Sequence, residues 1–420
     1  MTEEERYYKL PEKTLPAISS HDHASDLLQF KEFVDNLGIK THNTRISRYT
    51  QYFLQLAEGK VIDEKKIFKN VNDARFQSPL DWQLYLLREA HELMWILRGL
   101  KKHVPKGIEG KIEKIISGSD FAALDKNTES RDTQFELRIA SYFCQSGCAV
   151  DISTDTDIIA ITDKHAFFVE CKRIAGGRNL KDNLVKARDQ IVLRMPKRHE
   201  DKHAFGVIAA DVTKLGFSLN GLTMGLTPEH ARDIIQGKLK EIRKTASALP
   251  IFTGRPDIVE CILQIHIPSV IVYPPMTTTR FSSCSLHDKK PDRKSRSAIA
   301  ELHSIAQASG IIDEREIPAK KLKYRKLLEI SAGTDFFLEQ DLITAVLSNA
   351  NNDTHTSESV VAKMKMNNVI HEFSVMELRI VMGGFTSDQL CHLASSESSE
   401  RLELVLRMFM QRYPYESSPY

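Results

Sequence analysis

The sequence predicts a mixed α/β (α+β) fold, with a mixed central sheet set between two mainly helical regions. Three observations carry this. Between residues 131 and 273, helical periodicity alternates with short β-rich runs in the order helix, three strands, helix, strand. Such an order suits a sheet covered by helices. The segment from Leu80 to Leu97 repeats apolar residues at three- and four-residue spacing. From Ala298 onward the pattern is helical again.

Taken in order, residues 1–125 read as a helical domain. Its Trp82 and Trp95 are the only two tryptophans, and they lie on the apolar stripe. An aromatic stripe at helical spacing is core. A helix follows over Arg131–Gln145, ended by Gly147. Three strands come next, Ala149–Ser153, Asp157–Ile161 and Ala166–Lys172, the last two joined by the turn Thr162-Asp163-Lys164-His165. Leu180–Arg194 reads as a helix stopping before Pro196, and His203–Ala210 as a strand. Pro228–Ala246 is a helix that Thr227 can cap. Val259–Ile265 and Ser269–Tyr273 read as two further strands, which closes a core over 126–276. The Ser-, Thr- and base-rich stretch 277–297 reads as a linker, and 298–420 as a helical domain.

Composition narrows the class. The 420 residues carry 58 Lys plus Arg against 56 Asp plus Glu, with 41% hydrophobic and 27% charged residues. That is an ordinary globular balance, neither disordered nor histone-like. No apolar run approaches the ~18 residues that span a bilayer. The acidic start MTEEERYYK is unlike a secretory signal. The expectation is a soluble, cytoplasmic chain without a membrane partner. Six cysteines lack CxxC spacing, which argues against a zinc ribbon or a disulfide framework. Cys144 and Cys148 fit buried thiols, and His21-Asp22-His23 fits a polar loop. There is no GxxxxGK loop, dinucleotide glycine fingerprint or GxSxG elbow.

The sharpest chemistry lies in the hairpin that begins at Asp157 and ends in Glu170-Cys171-Lys172. Strand alternation puts Glu170 and Lys172 on one face and Cys171 on the other. Asp157 opens the partner strand and can lie across from them. The acid-x-Lys pattern alone is weak, recurring at Glu64-x-Lys66, Glu200-x-Lys202 and Asp288-x-Lys290 in polar surroundings. Glu170 differs because it ends an apolar strand, where an unpaired charge is costly. Paired carboxylates can hold Mg²⁺ or Mn²⁺ through hard oxygens, and a lysine beside them can stabilise negative charge.

These residues resemble the PD-(D/E)xK nuclease superfamily, the restriction-endonuclease-like fold, over roughly 130–275. The resemblance implies an αβββαβ core and a metal-dependent nuclease, with DNA favoured over RNA. It implies Asp157 and Glu170 as metal ligands, with the Cys171 carbonyl as a third. Lys172 would be the catalytic lysine, Glu136 the helix carboxylate, and Gln190 a supporting polar residue. Thr156 stands where the family often has proline, so Asp155 remains an alternative ligand. Thr133-x-x-Glu136 also fits a capping box, and Gln190 also fits a solvated helix face. The context implied is bacterial restriction or anti-phage defence, as a homodimer or within a multi-protein system. The other class of function is a catalytically silent nucleic-acid-binding or assembly protein on the same fold.

Residues 172–202 hold ten Lys and Arg against four Asp and Glu. Among them Arg173, Arg178, Lys181 and Lys186 are expected to meet a phosphate backbone. The clusters Lys289–Arg296 and Lys320–Lys326 could extend that track.

Overall fold

A computed structural model describes residues 6–9, 20–76, 79–125, 127–217, 222–225, 228–271, 276–308, 321–324, 334–348, 356–366, 368–396 and 398–412. The chain divides into two compact units, one spanning Lys13–Arg315 and the other Met1–Glu12 with Glu316–Tyr420. The fold is mixed α/β, with a mixed central sheet and many helices.

The first strand, β1 (Arg6–Lys9), belongs to the smaller unit. The larger unit begins with α1 (Ser20–Asn36), α2 (Arg45–Ala57), α3 (Glu64–Ile67), α4 (Pro79–Lys102) and α5 (Ile108–Ser117). Then α6 (Glu129–Gln145) leads into β2 (Ala149–Asp151), β3 (Ile158–Ile161) and β4 (His165–Arg173). After α7 (Leu180–Arg194) come β5 (Arg198–His199), β6 (Lys202–Asp211), α8 (Thr213–Gly216), β7 (Thr223–Gly225) and α9 (Pro228–Ser247). The unit ends with β8 (Ile258–Ile271), β9 (Met276–Leu286) and α10 (Arg293–Ala308).

The eight strands form one sheet in the order β2-β3-β4-β6-β8-β7, with β5 on β6 and β9 on β8. β3 and β4 are antiparallel, whereas β4, β6 and β8 run parallel. β4 is buried from His165 to Cys171, as a central strand covered on both faces should be. Its Phe167, Val169 and Cys171 join the core under α6, whereas Ile208 and Ala210 of neighbouring β6 join the core under α7. Two glycines set these helices close. A side chain at Gly99 of α4 would strike the Ser141 backbone of α6, and one at Gly206 of β6 would strike Ile191 of α7. α6 ends in a Schellman turn. Gly147 adopts φ +82°, and the Cys148 N–H bonds the Phe143 carbonyl at 3.0 Å.

Several expectations change. The helical segment 1–125 is not a separate domain, because Phe30, Tyr49, Trp82 and Leu93 share one core with Phe135, Val169 and Val207. Trp82 packs against Tyr52, Phe68 and Phe121, and Trp95 against Tyr142 and Phe281. Their stripe is core. The supposed linker 277–297 is instead β9, eleven residues antiparallel to β8, followed by the start of α10. Its threonines, read as loop formers, are β-branched and suit a strand. The two strands read in 259–273 are one continuous β8 through Pro268. Pro268 falls between the β6 ladder, which stops at Gln264, and the β7 ladder, which starts at Ser269. His21-Asp22-His23 lies in the first turn of α1 rather than in a loop, with His23 buried against Phe53. Thr227, the expected cap of α9, lies outside the described residues.

In the smaller unit β1 pairs with β10 (Lys321–Tyr324). Lys320, Arg325 and Lys326 of the second basic cluster lie outside the described residues. The rest is not purely helical. β11 (Asp335–Leu338), β12 (Val360–Met366) and β13 (Val369–Ser374) form an antiparallel sheet with α11 (Gln340–Ser348), α12 (Val375–Met382), α13 (Ser387–Ser395) and α14 (Ser398–Arg412). The alternation Val361, Lys363, Lys365 against Ala362, Met364, Met366 is strand periodicity that a helical reading overlooked.

Candidate active site

The site forms where β3 is too short to cover β4. The β3–β4 register ends at Ile158 opposite Val169, so Glu170, Cys171 and Lys172 run past the end of β3. One residue before β3, Asp157 bends into the vacated edge, and its Oδ2 accepts the Cys171 N–H at 2.7 Å. A carboxylate thereby replaces the missing ladder partner. In a strand the N–H and C=O of one residue point to the same edge, so the Cys171 carbonyl also faces Asp157. Asp155 is exposed and takes no part.

Glu170 is wholly buried at 0% exposure. Its Oε1 accepts from Arg194 at 2.7 Å, and Lys172 Nζ stands 3.4 Å from its Oε2. Burial pushes the Glu170 carboxyl above its ordinary value and nearby Asp157 pushes it further, against Lys172 and Arg194. Glu136 enters from α6, ion-paired with Lys111 of α5. Its carboxyl is likewise raised by burial and then by Asp157. The capping-box reading of Glu136 fails, since α6 starts at Glu129 and Thr133 lies buried within the helix. Burial and the three carboxylates hold the Cys171 thiol well above its ordinary value. Cys171 therefore presents a neutral sulfur and a backbone oxygen, not a thiolate.

These oxygens are hard donors of the kind that suits Mg²⁺ or Mn²⁺. Among the described residues, no three His, Cys, Asp or Glu side chains cluster tightly enough to cage a metal by themselves. Two carboxylates and a backbone carbonyl are nonetheless a fitting donor set, because Asp157 raises both neighbouring glutamates and a divalent cation would relieve that crowding.

The remaining expected residues divide. Gln190 is partly buried on α7, and its Oε1 is buried without a hydrogen-bond partner. That is costlier than a solvated helix position would be. Arg178, Lys181 and Lys186 are exposed. Arg173 is not; it projects with Cys171 toward α6, 3.3 Å from Asp132 and 3.9 Å from Asp211. Sequence reasoning missed Arg194 and Lys111 as carboxylate partners. Arg194 had a signal, since it lies four residues after Gln190 on the same helix face. Lys111 had none.

A second polar region went unread. Glu89 pairs with Arg45 at 3.0 Å and also with Arg131, and Glu92 pairs with Arg138 at 2.9 Å. Gln134 bonds Glu92 at 2.7 Å, and Arg138 reaches Asp211 at 3.2 Å. Its sequence signal was the polar Glu89 and Glu92 interrupting the apolar stripe of α4. Cys144 and Cys148 are buried free thiols, pushed up by burial to about 12 and about 11.

Comparison with protein-family models, curated proteins and solved structures finds no match for this chain. Among the described residues no helix is long and apolar enough to cross a membrane.

Proposed function

We propose that the chain is a metal-dependent phosphodiesterase acting on nucleic acid, with a restriction-endonuclease-like core over α6 to β8. The observation that carries this reading is Asp157, one residue before β3, accepting the Cys171 N–H next to buried Glu170, with Lys172 3.4 Å from the glutamate. DNA is the favoured polymer by family resemblance, not by any residue of the site.

Asp157, Glu170 and the Cys171 carbonyl would hold Mg²⁺ or Mn²⁺. The bound ion supplies Lewis-acid activation of the phosphate and of the attacking water. The Cys171 N–H fixes the Asp157 carboxylate. Lys172, on the Glu170 face of β4, places a positive charge where negative charge grows on the phosphate in the transition state. Arg194 holds Glu170 in one rotamer.

The test incubates purified protein and Glu170→Ala with labelled duplex DNA, single-stranded DNA and RNA, in Mg²⁺, Mn²⁺ or EDTA. Cleavage that needs metal and disappears with Glu170→Ala supports the reading. Cleavage surviving Glu170→Ala places the chemistry elsewhere. One observation favours the alternative of a silent nucleic-acid-binding protein: Lys172 and Arg194 already engage both oxygens of Glu170. Tight DNA binding with no cleavage in any metal, by protein and Arg194→Gln alike, would favour that alternative.

A further inference from the structure

On the opposite face of β4 lies a recess of about 110 Å³, enclosed by α4, α6, the end of β4 and α8. Five cationic side chains line it against four carboxylates. The carboxylates are largely committed. Glu92 and Asp211 bind Arg138, Glu89 binds Arg131, and Asp132 reaches Arg173. Three cations are more loosely paired, although Glu92 and Asp211 also act on Arg88, and Asp211 on Lys214. Arg88 pairs with Glu89 at 3.9 Å, Arg173 has contacts of 3.3 and 3.9 Å, and Lys214 makes no ion pair among the described residues. Arg138 adds a buried Nε with no partner, although the residue is only 1% exposed.

We infer that this recess is a binding site for a tetrahedral oxyanion of the phosphate class, held by Arg88, Arg173 and Lys214. The cations arrive from α4, β4 and α8, so they approach one point from different directions. A tetrahedral anion has enough oxygens to answer all three, whereas a planar carboxylate offers two. The crowding agrees: burial lowers the Lys214 ammonium from its ordinary value, and Arg173 lowers it further. Like charges gathered in a recess attract the anion that separates them. The volume fits inorganic phosphate or the phosphate of a nucleotide, with any base and sugar lying outside. This site stands apart from the nuclease reading, since Arg173 and Lys172 project to opposite faces of β4.

Titration calorimetry on the full chain tests it, at constant ionic strength, with inorganic phosphate, AMP and acetate as separate titrants. Saturable one-to-one binding of phosphate or AMP is expected, with no binding of acetate. AMP binding the more tightly assigns the ligand to a nucleotide; equal or weaker AMP binding assigns it to free phosphate. Lys214→Ala, at a half-buried position, should weaken binding at least tenfold while its circular dichroism and ligand-free melting temperature stay unchanged. Arg88→Lys serves as a second variant that keeps the charge but loses the guanidinium fork, and a severalfold loss is expected. No saturable phosphate or AMP binding, or undiminished binding by Lys214→Ala, would overturn the inference.

Discussion

Helix α6 separates two polar regions that handle buried charge in opposite ways. On one side, Arg131, Gln134 and Arg138 meet carboxylates that each have a guanidinium partner. Burial there works against ionised Asp211, yet Arg138 and Arg173 hold its carboxyl below the ordinary value. Glu92 is raised by burial, but its nearest charge, Arg138, opposes the rise. On the other side, Glu136 and Glu170 are raised by burial, and the charge that acts on them most, Asp157, raises them further, against Lys111 at Glu136 and against Lys172 and Arg194 at Glu170. Charges that cancel stabilise the fold. Charges that crowd one another are kept at a cost to stability, and such sites are where function concentrates.

The largest effect should come from breaking the cancelled side. Glu89→Gln leaves Arg45 buried without its carboxylate and Arg131 with Asp125 alone, so a loss of about 3–5 kcal/mol in urea unfolding is expected. Glu170→Gln should cost far less at pH 7, or stabilise. The sign follows from the raised carboxyl: its ionisation costs stability once pH rises through the folded value, and the neutral glutamine avoids this. Asp211→Asn should do the reverse. Its lowered carboxyl contributes stability above the ordinary carboxylate range, and that contribution is lost as pH falls through the lowered value. Unfolding curves from pH 3 to 8 for the three variants check this. Equal losses for Glu89→Gln and Glu170→Gln would erase the contrast.

Next in size is catalysis. Lys172→Ala should reduce single-turnover cleavage by about 10²–10³-fold while DNA affinity in EDTA stays within a few-fold. Glu89→Ser, assayed at a temperature where it remains folded, should cleave at near the parent rate. A catalytic loss at Glu89 matching that at Lys172 would mean that the paired network takes part in the chemistry.

Metal binding should be smaller but more direct. Mg²⁺ at a hundred times its dissociation constant should add about 2.7 kcal/mol of stability at neutral pH. The gain should shrink as pH falls through the raised Glu170 value, because a protonated carboxyl no longer donates to the ion. Asp157→Asn should abolish the gain. Retention of the Mg²⁺ gain by that variant would locate the ion elsewhere.

What the sequence made legible follows interaction range. Helix α7 and the β3–β4 hairpin were readable because their signals are local: periodicity, a four-residue turn, and a strand of alternating faces. The carboxylate pair was readable for the same reason, since Asp157 directly precedes Ile158 and Glu170 directly follows Val169, the pair at which the β3–β4 register ends. The partners were not. Lys111 and Glu136 are 25 residues apart, and Arg45 and Glu89 are 44 apart, so no spacing rule joins them. β9 was misread because its serines and threonines favour turns when isolated, whereas here eleven residues pair against β8. The opposite orientation of Arg173 could have been foreseen. It is one residue past Lys172, and strand alternation turns it toward α6.

That orientation supplies the mildest test of the contrast. If exposed cations near the crowded side meet a phosphate backbone, each should contribute sequence-independent affinity through counterion release. Lys181→Ala should weaken DNA binding uniformly across sequences and lower the salt slope by about 1. Arg178→Ala should do the same, since both residues are exposed. Arg173→Ala should leave the salt slope unchanged, because its guanidinium lies on the other face of β4, toward α6, 3.3 Å from Asp132 and 3.9 Å from Asp211. Its effect should be on stability instead, where it removes cationic support from Asp211. Fluorescence anisotropy with labelled duplex DNA over a range of KCl concentrations separates the two behaviours. A reduced slope for Arg173→Ala, with unchanged slopes for Lys181→Ala and Arg178→Ala, would carry the nucleic-acid path to the α6 face and reverse the roles of the two regions.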